Sequence, residues 1–595
     1  MTRSPSSRIG MRGLAAVGAV TLGLTLVGTT ATAADDPRVD LAPGYLDPGV
    51  AASNMELLST TPRLAPFDGA PNNFGFVNSD LAFTGDKAVV GNFNGFQVYD
   101  ISDAAAPALV SSFVCPGGQG DVSVFGDLLF MSVEETRGRI DCGTQGAAGA
   151  ANPDRFRGVR IFDISDIDNP VQLPGVQTCR GSHTHTVVED PNDPENIYIY
   201  NSGTSGVRSA AELAGCSNGG ATSENPTLWR IDVIKVPLDA PEAAAIVNQP
   251  RIFTDPATGA VNGLQNGPTQ PRHPSGAFYS PSPNTNTCHD ITAYPEIGLA
   301  AGACQGNGIL LDISDPANPV RLDAVADVNF AYWHSATFNN DGTKVIYTDE
   351  WGGGTAARCR VTDRPEWGAN ALFDITTNAA GKPEMTFASY YKLPVPQTTQ
   401  ENCVAHNGSL VPVPGRDIMV QAWYQGGTSV IDFTDTANPT EIAFFDRGPI
   451  NTPNASGLNL GGLWSIYWYN GSMFGSEIAR GFDTFALTPS DQLSANEIAA
   501  AQEWQVDEFN AQAQPRMELA PSFNVVKAYR DQAVRSGELE GKALREVDKH
   551  IAQAEKLDAG NAAQRAIKAQ LDNAAKKSGL PGSDLVKALD DLANG

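Results

Sequence analysis

The sequence predicts a mainly β chain: a seven-bladed β-propeller over residues 55–486 with N-terminal strand closure, followed by a small C-terminal α-helical domain. Three observations carry that prediction. One strand-and-turn phrase recurs seven times, two further apolar runs parted by turn residues precede each copy, and the last copy lacks the strand that follows the others.

The phrase reads FQVYDIS from residue 96, VRIFDIS from 159, LWRIDVIKV from 228, ILLDIS from 309, ALFDITT from 371, SVIDFTD from 429 and FDTFALT from 482. Six copies share an aspartate, namely Asp100, Asp163, Asp232, Asp312, Asp374 and Asp432. Three continue as DISDAAAP, DISDIDNP and DISDPANP, where Asp and Pro suit a tight turn. A calcium loop would need alternating oxygen ligands that these stretches lack.

The upstream runs, such as HTVVEDPNDPENIYIYN and HDITAYPEIGLAAGA, are strand pairs around a turn. Each unit is thus a four-stranded meander. A lone meander cannot bury both faces, and radial packing of seven units solves that problem. After FDTFALT the chain enters LSANEIAAAQEW, where Ser494 and Glu497 make a helix capping box. The missing strand is therefore expected from MELLSTTPRL at 55–64, which removes the open sheet edge.

Outside the propeller, residues 1–33 read as a secretory signal: Arg3, Arg8 and Arg12, an apolar run and a small-residue ATA ending at Ala33. Residues 34–54 are expected to be a linker, 487–522 a helix and linker, and 523–595 a helical domain of about three helices with apolar residues at helical spacing. No other run approaches the roughly 18 apolar residues of a membrane span. Losing three arginines with the signal moves the formal charge from -27 to -30, which disfavours nucleic acid and anionic lipid.

The even set of eight cysteines implies disulfides in a secreted, extracellular or cell-surface protein. Cys288 precedes a first strand and Cys304 ends the second, and Cys115 and Cys142 repeat that layout. The expected pairs are Cys115 with Cys142, Cys179 with Cys216, Cys288 with Cys304, and Cys359 with Cys403.

GFQVYDISDAAAP, VRIFDISDIDNP and GILLDISDPANP resemble the LVIVD repeat of secreted and surface bacterial propellers, over most of 78–486. The stretch from SGELEGKALREVDKH to NAAKKSG resembles the FIMAH helical domain, with leucine where that family's second half has an aromatic. The first resemblance implies a propeller and no particular reaction. Carotenoid-cleaving oxygenases hold iron with four histidines in a seven-bladed propeller, an analogy of architecture alone.

Chemistry is expected at histidines. Of seven, His185, His289, His334 and His406 open the innermost strands of blades three to six, where strands distant in sequence converge around the channel. Pro191 and Pro295 each follow their histidine by six, which sets the register. Matching positions in blades one, two and seven are Ser79, Gly120 and Trp464, the first two small enough to leave an approach for a ligand.

Imidazoles in this arrangement predict a transition metal: iron, copper or zinc, with nickel also compatible. Glu350 or Glu477 is expected behind them, and Glu134, Glu135 and Asp349 end second strands on the same rim. His183 is a secondary candidate, His273 lies in a Pro-rich loop, and His550 sits on an amphipathic helix without a catalytic partner. Trp464, Tyr467, Trp468 and Tyr469 are expected in inter-blade core rather than as a sugar platform. No G-x-S-x-G elbow, P-loop or HExxH is present. The sequence thus predicts a secreted propeller with a His-lined metal site of unknown reaction. A non-catalytic scaffold for an extracellular protein or glycan is the alternative.

Overall fold

The computed structural model describes residues 36–71, 73–220, 223, 225–254, 258, 263–264, 285–452 and 458–594, so the signal and His273 lie outside the described residues. Seven antiparallel sheets form the propeller. Their innermost strands are Asn78–Thr84, Val122–Phe125, Thr184–Glu189, Asp290–Tyr294, Trp333–Phe338, Gly408–Val411 and Leu463–Tyr469.

Burial falls from the axis outward. Leu128–Val133, a second strand, is buried at every position, whereas the outer strand Val171–Gln177 is largely part-exposed. Apolar clusters fill the gaps between neighbouring blades, as Phe96, Val98, Val122 and Leu129 do between blades one and two. Trp468 and Tyr467 join such a cluster, as expected.

The repeated aspartate makes turns. Oδ1 of Asp100, Asp163, Asp312 and Asp432 accepts the backbone N–H two residues on, at 2.9–3.0 Å. Blade seven takes its fourth strand from Met55–Pro62, antiparallel to Gly481–Leu487, with Met55 opposite Leu487 and Pro62 opposite Gly481. The preceding stretch is docked too. Val50–Ser53 adds a fifth strand to blade six, and buried Arg38 grips Asp36 and Glu441 with both ends of its guanidinium.

All four expected disulfides are present, with Cα atoms 4.4, 5.3, 3.6 and 5.6 Å apart. After the propeller come α1 (Ala495–Ala501), with the Ser494 and Glu497 capping box, α2 (Phe523–Arg535), α3 (Gly541–Ala559), α4 (Gln564–Ser578) and α5 (Asp584–Asn594). The tail thus has four helices rather than about three, because Gly579, with φ of 74°, and Pro581 part α4 from α5.

Between α1 and α2 the chain crosses the end of the channel where the inner strands finish. Glu508–Asn510 pairs with Ala82–Thr84 of blade one, and Asn510 bonds both backbone groups of Val124 in blade two at 2.8 Å. Gln512 accepts from the Ala293 N–H of blade four, and its side chain donates to Asp80 at 2.6 Å. Gln514 bonds both backbone groups of Phe338 in blade five at 3.0 Å. This strap closes one end, and the histidines stand at the other.

Candidate metal centre

Four imidazoles form a row. Ring centroids are 4.1 Å apart from His183 to His289, 3.9 Å from His289 to His334 and 4.0 Å from His334 to His406. His289, His334 and His406 stand where the sequence places them, but blade three contributes His183 rather than His185. The His183 N–H bonds Ser202 O at 2.7 Å, as the His289 N–H bonds Ala303 O at 2.8 Å, so these two share a register.

Counting back from the prolines misplaces the register. Blade three's inner strand is one residue longer than blade four's, and Pro191 stands one residue further beyond its end. His185 faces away from the row: its Nδ1 lies 2.8 Å from Ser132 Oγ and 3.0 Å from Asp121 Oδ2.

Hydrogen bonds to Nδ1 orient three of the rings. His183 Nδ1 donates to Glu134 Oε2 at 2.6 Å, His289 Nδ1 to Asp290 Oδ1 at 2.9 Å, and His406 Nδ1 to the Trp464 carbonyl. Committing Nδ1 to an oxygen and leaving Nε2 is how metal-ligating histidines are usually held; here the Nε2 atoms of His183 and His289 meet at 2.5 Å and that of His406 has no partner. Glu134 is itself fixed by donors from Thr204 and Ser205 at 2.7 Å.

Glu350 closes the far end. Its Oε1 accepts from the Tyr424 hydroxyl at 2.5 Å and stands 3.8 Å from His406 Nε2, while Oε2 stands 3.9 Å from His334 Nε2. Two sets of three ligand atoms lie within 4.8 Å of one another, His289 with Asp290 and His334, and His334 with Glu350 and His406. His406 Nε2, His334 Nδ1 and Asp290 Oδ2 are buried without a hydrogen-bond partner.

Burial sets the charges. It is the first cause lowering His289, His334 and His406, with His406 brought down to about 3, so these three are neutral imidazoles. For Glu134 burial acts upward, but the His183 charge and the donors outweigh it and hold the carboxylate at about 2. His183 is raised in return, its burial outweighed by Glu134. Burial pushes Glu350 up to about 7, against the bond from Tyr424.

Several expected roles are revised. Glu477 does not back the histidines: its oxygens accept from the N–H groups of Gly462 and Ala479 at 2.8 and 2.7 Å and from Arg480. Asp349 likewise caps backbone N–H groups of Ala331, Tyr332 and Gly368. Glu135 pairs with Arg137. His550 meets Gln570 at 2.8 Å, a helix-packing contact.

Gly120 leaves no gap for a ligand. Its φ is 68°, and a Cβ there would fall 2.3 Å from the Asn92 carbonyl oxygen, so the backbone itself fills the space. Trp464 packs edge-on against His406 and Phe93, and with Trp351 and Trp367 it belongs to an apolar cluster beside the row.

Asp290, Tyr424 and Tyr332, whose ring meets His289 edge-on at 5.6 Å, went unnoticed in the sequence. Asp290 directly follows a candidate histidine and was open to that inference. Tyr424 sits in a non-repeating turn at φ 52°, and nothing local marks it.

No family model and no curated protein matches the chain. Among solved structures it is similar to the periplasmic gluconolactonase of Pseudomonas aeruginosa, at 12% identity over 69% of this chain and 99% of that one, TM-score 0.38. It is also similar to the β-propeller domain of Myceliophteria thermophila Cps50 (Swd1), at 8% identity over 69% and 97%, TM-score 0.37. A protein from Lactobacillus plantarum gives 10% identity over 62% and 82%, TM-score 0.37. Likenesses this distant carry no inference about activity.

Proposed function

We propose that this chain is a secreted, extracellular or cell-surface propeller of LVIVD-like repeats with a FIMAH-like tail, and that it holds a transition metal at the end of its channel opposite the strap. His334, His406 and Glu350 are the central ligands. The observation that carries the reading is the buried, unpartnered Nε2 of His406, 3.8 Å from Glu350 Oε1, with His334 Nε2 3.9 Å from the other oxygen of the same carboxylate.

An unsatisfied buried polar group costs about 1–3 kcal/mol, and a cation facing the two imidazoles and the carboxylate relieves that cost at His406 Nε2. Two histidines with one carboxylate suit iron or zinc, and imidazole suits copper equally. With open coordination positions, such a set supports oxygen activation by iron or water activation by zinc.

The chain's own groups supply the setting. Trp464 O and Tyr424 hold His406 and Glu350 in place, and the neighbouring aromatic cluster keeps the local dielectric low. Four disulfides, together with the absence of any membrane-crossing helix among the described residues, fit the proposed location. Elemental analysis of protein purified without chelator tests the reading. Wild type is expected to carry at least one transition metal per chain, and a His334→Ala, His406→Ala double variant none. Metal-free wild type overturns it.

A further inference from the structure

We propose that the row holds two metal ions side by side, with His334 as the shared ligand; the inference rests on the metal reading above. The ligand atoms of one ion, bound at about 2.0–2.2 Å, lie within roughly 4.3 Å of one another. Among the described residues, no set within 4.8 Å contains all four imidazoles. Two sets of three exist instead, and they overlap only at His334.

Each set carries its own unpartnered atoms. The first, His289 with Asp290 and His334, contains Asp290 Oδ2 and His334 Nδ1; the second, His334 with Glu350 and His406, contains His406 Nε2. These side chains are buried, with exposures of 5% or less for the three histidines and Asp290 and 6% for Glu350.

His334 is the ring suited to sharing. The other three rings of the row each commit Nδ1 to an oxygen acceptor, whereas its own Nε2 faces Glu350 at 3.9 Å and its Nδ1 has no partner. Binding at both nitrogens makes His334 an imidazolate, its ring proton leaving to solvent, and a bound cation at each nitrogen offsets the charge. His183 Nε2 lies 2.5 Å from His289 Nε2, so the two nitrogens converge on the first ion's side of the row.

Copper(II) titration of the chelator-stripped full chain, followed by electron paramagnetic resonance, tests this. Two equivalents are expected, with the integrated spin falling well below two per chain as coupling develops through His334. Asp290→Asn and Glu350→Gln are each expected to retain one equivalent with full, uncoupled intensity. Asparagine keeps the shape of aspartate, and His289→Ala and His406→Ala serve as second variants for each half. One equivalent in wild type overturns the second ion and leaves the metal reading standing. No binding overturns both, and two uncoupled ions overturn the sharing of His334.

Discussion

Tyr424 donates its hydroxyl to Glu350 Oε1 at 2.5 Å, while its ring lies 4.4 Å from that of His406. One residue thereby fixes both the carboxylate and the imidazole that face each other across the centre. Partners behind metal ligands typically contribute about 10–100-fold in affinity. Tyr424→Phe is therefore expected to weaken zinc or copper binding at least tenfold with little change in melting, measured by competition with a chromophoric chelator. Unchanged affinity removes Tyr424 from the centre.

His183 and His185 separate by function. His183→Ala is expected to weaken binding of the first ion and leave the second, because it removes the ring that meets His289 Nε2. His185→Ala is expected to keep the full metal complement yet lose about 1–3 kcal/mol of stability, since Asp121 and Ser132 lose a buried partner. Metal content with thermal melting of both variants decides it, and the reverse pattern restores the sequence-based register.

That two-residue displacement shows where the sequence is legible and where it stops. The blades were readable because turn chemistry at Asp100, Asp163 and Asp312 repeats, and closure followed from a strand missing after FDTFALT. Cys288 and Cys304 announced their bridge by flanking one hairpin. Register at the rim depends on strand length and turn position, which differ between blades three and four and have no local marker. Glu477 looked equivalent to Glu350, but its neighbour Arg480 claims it. The strap pairs through three residues and glutamine side chains, too short and too polar for a periodicity to reveal.

The strap separates two truncations. Ending the chain after residue 522 removes α2–α5 and is expected to leave a folded propeller. Ending it after residue 507 also strips Asn510, Gln512 and Gln514 from four blades and uncovers Asp80, and a markedly lower melting temperature is expected. Differential scanning calorimetry compares them. Equal melting makes the strap dispensable.

Stability should depend on pH in an unusual direction. Burial, the largest cause in each case, pushes Asp290 and Asp446 up to about 8 and Asp349 and Glu350 up to about 7. Folded protein then keeps protons that unfolded protein has released, so stability falls as pH rises through 7 to 8. Below 6.5 the buried neutral histidines oppose this, since the unfolded chain takes up protons there, and above 8 Lys392, lowered by burial to about 8, does the same. Between pH 6.5 and 8 the chelated protein is expected to melt a few degrees lower with rising pH. Metal requires Glu350 ionised, so the rise in melting on adding metal should grow over that window. A flat or rising curve for the chelated protein contradicts these protonation states.

Diffraction from crystals of the metal-loaded protein, collected on both sides of the metal absorption edge, tests the central claim most directly. The account predicts an anomalous peak within bonding distance, about 2.0–2.2 Å, of His334, His406 and Glu350. A peak only at other residues, or none at the row of histidines in protein shown by elemental analysis to carry metal, would contradict it.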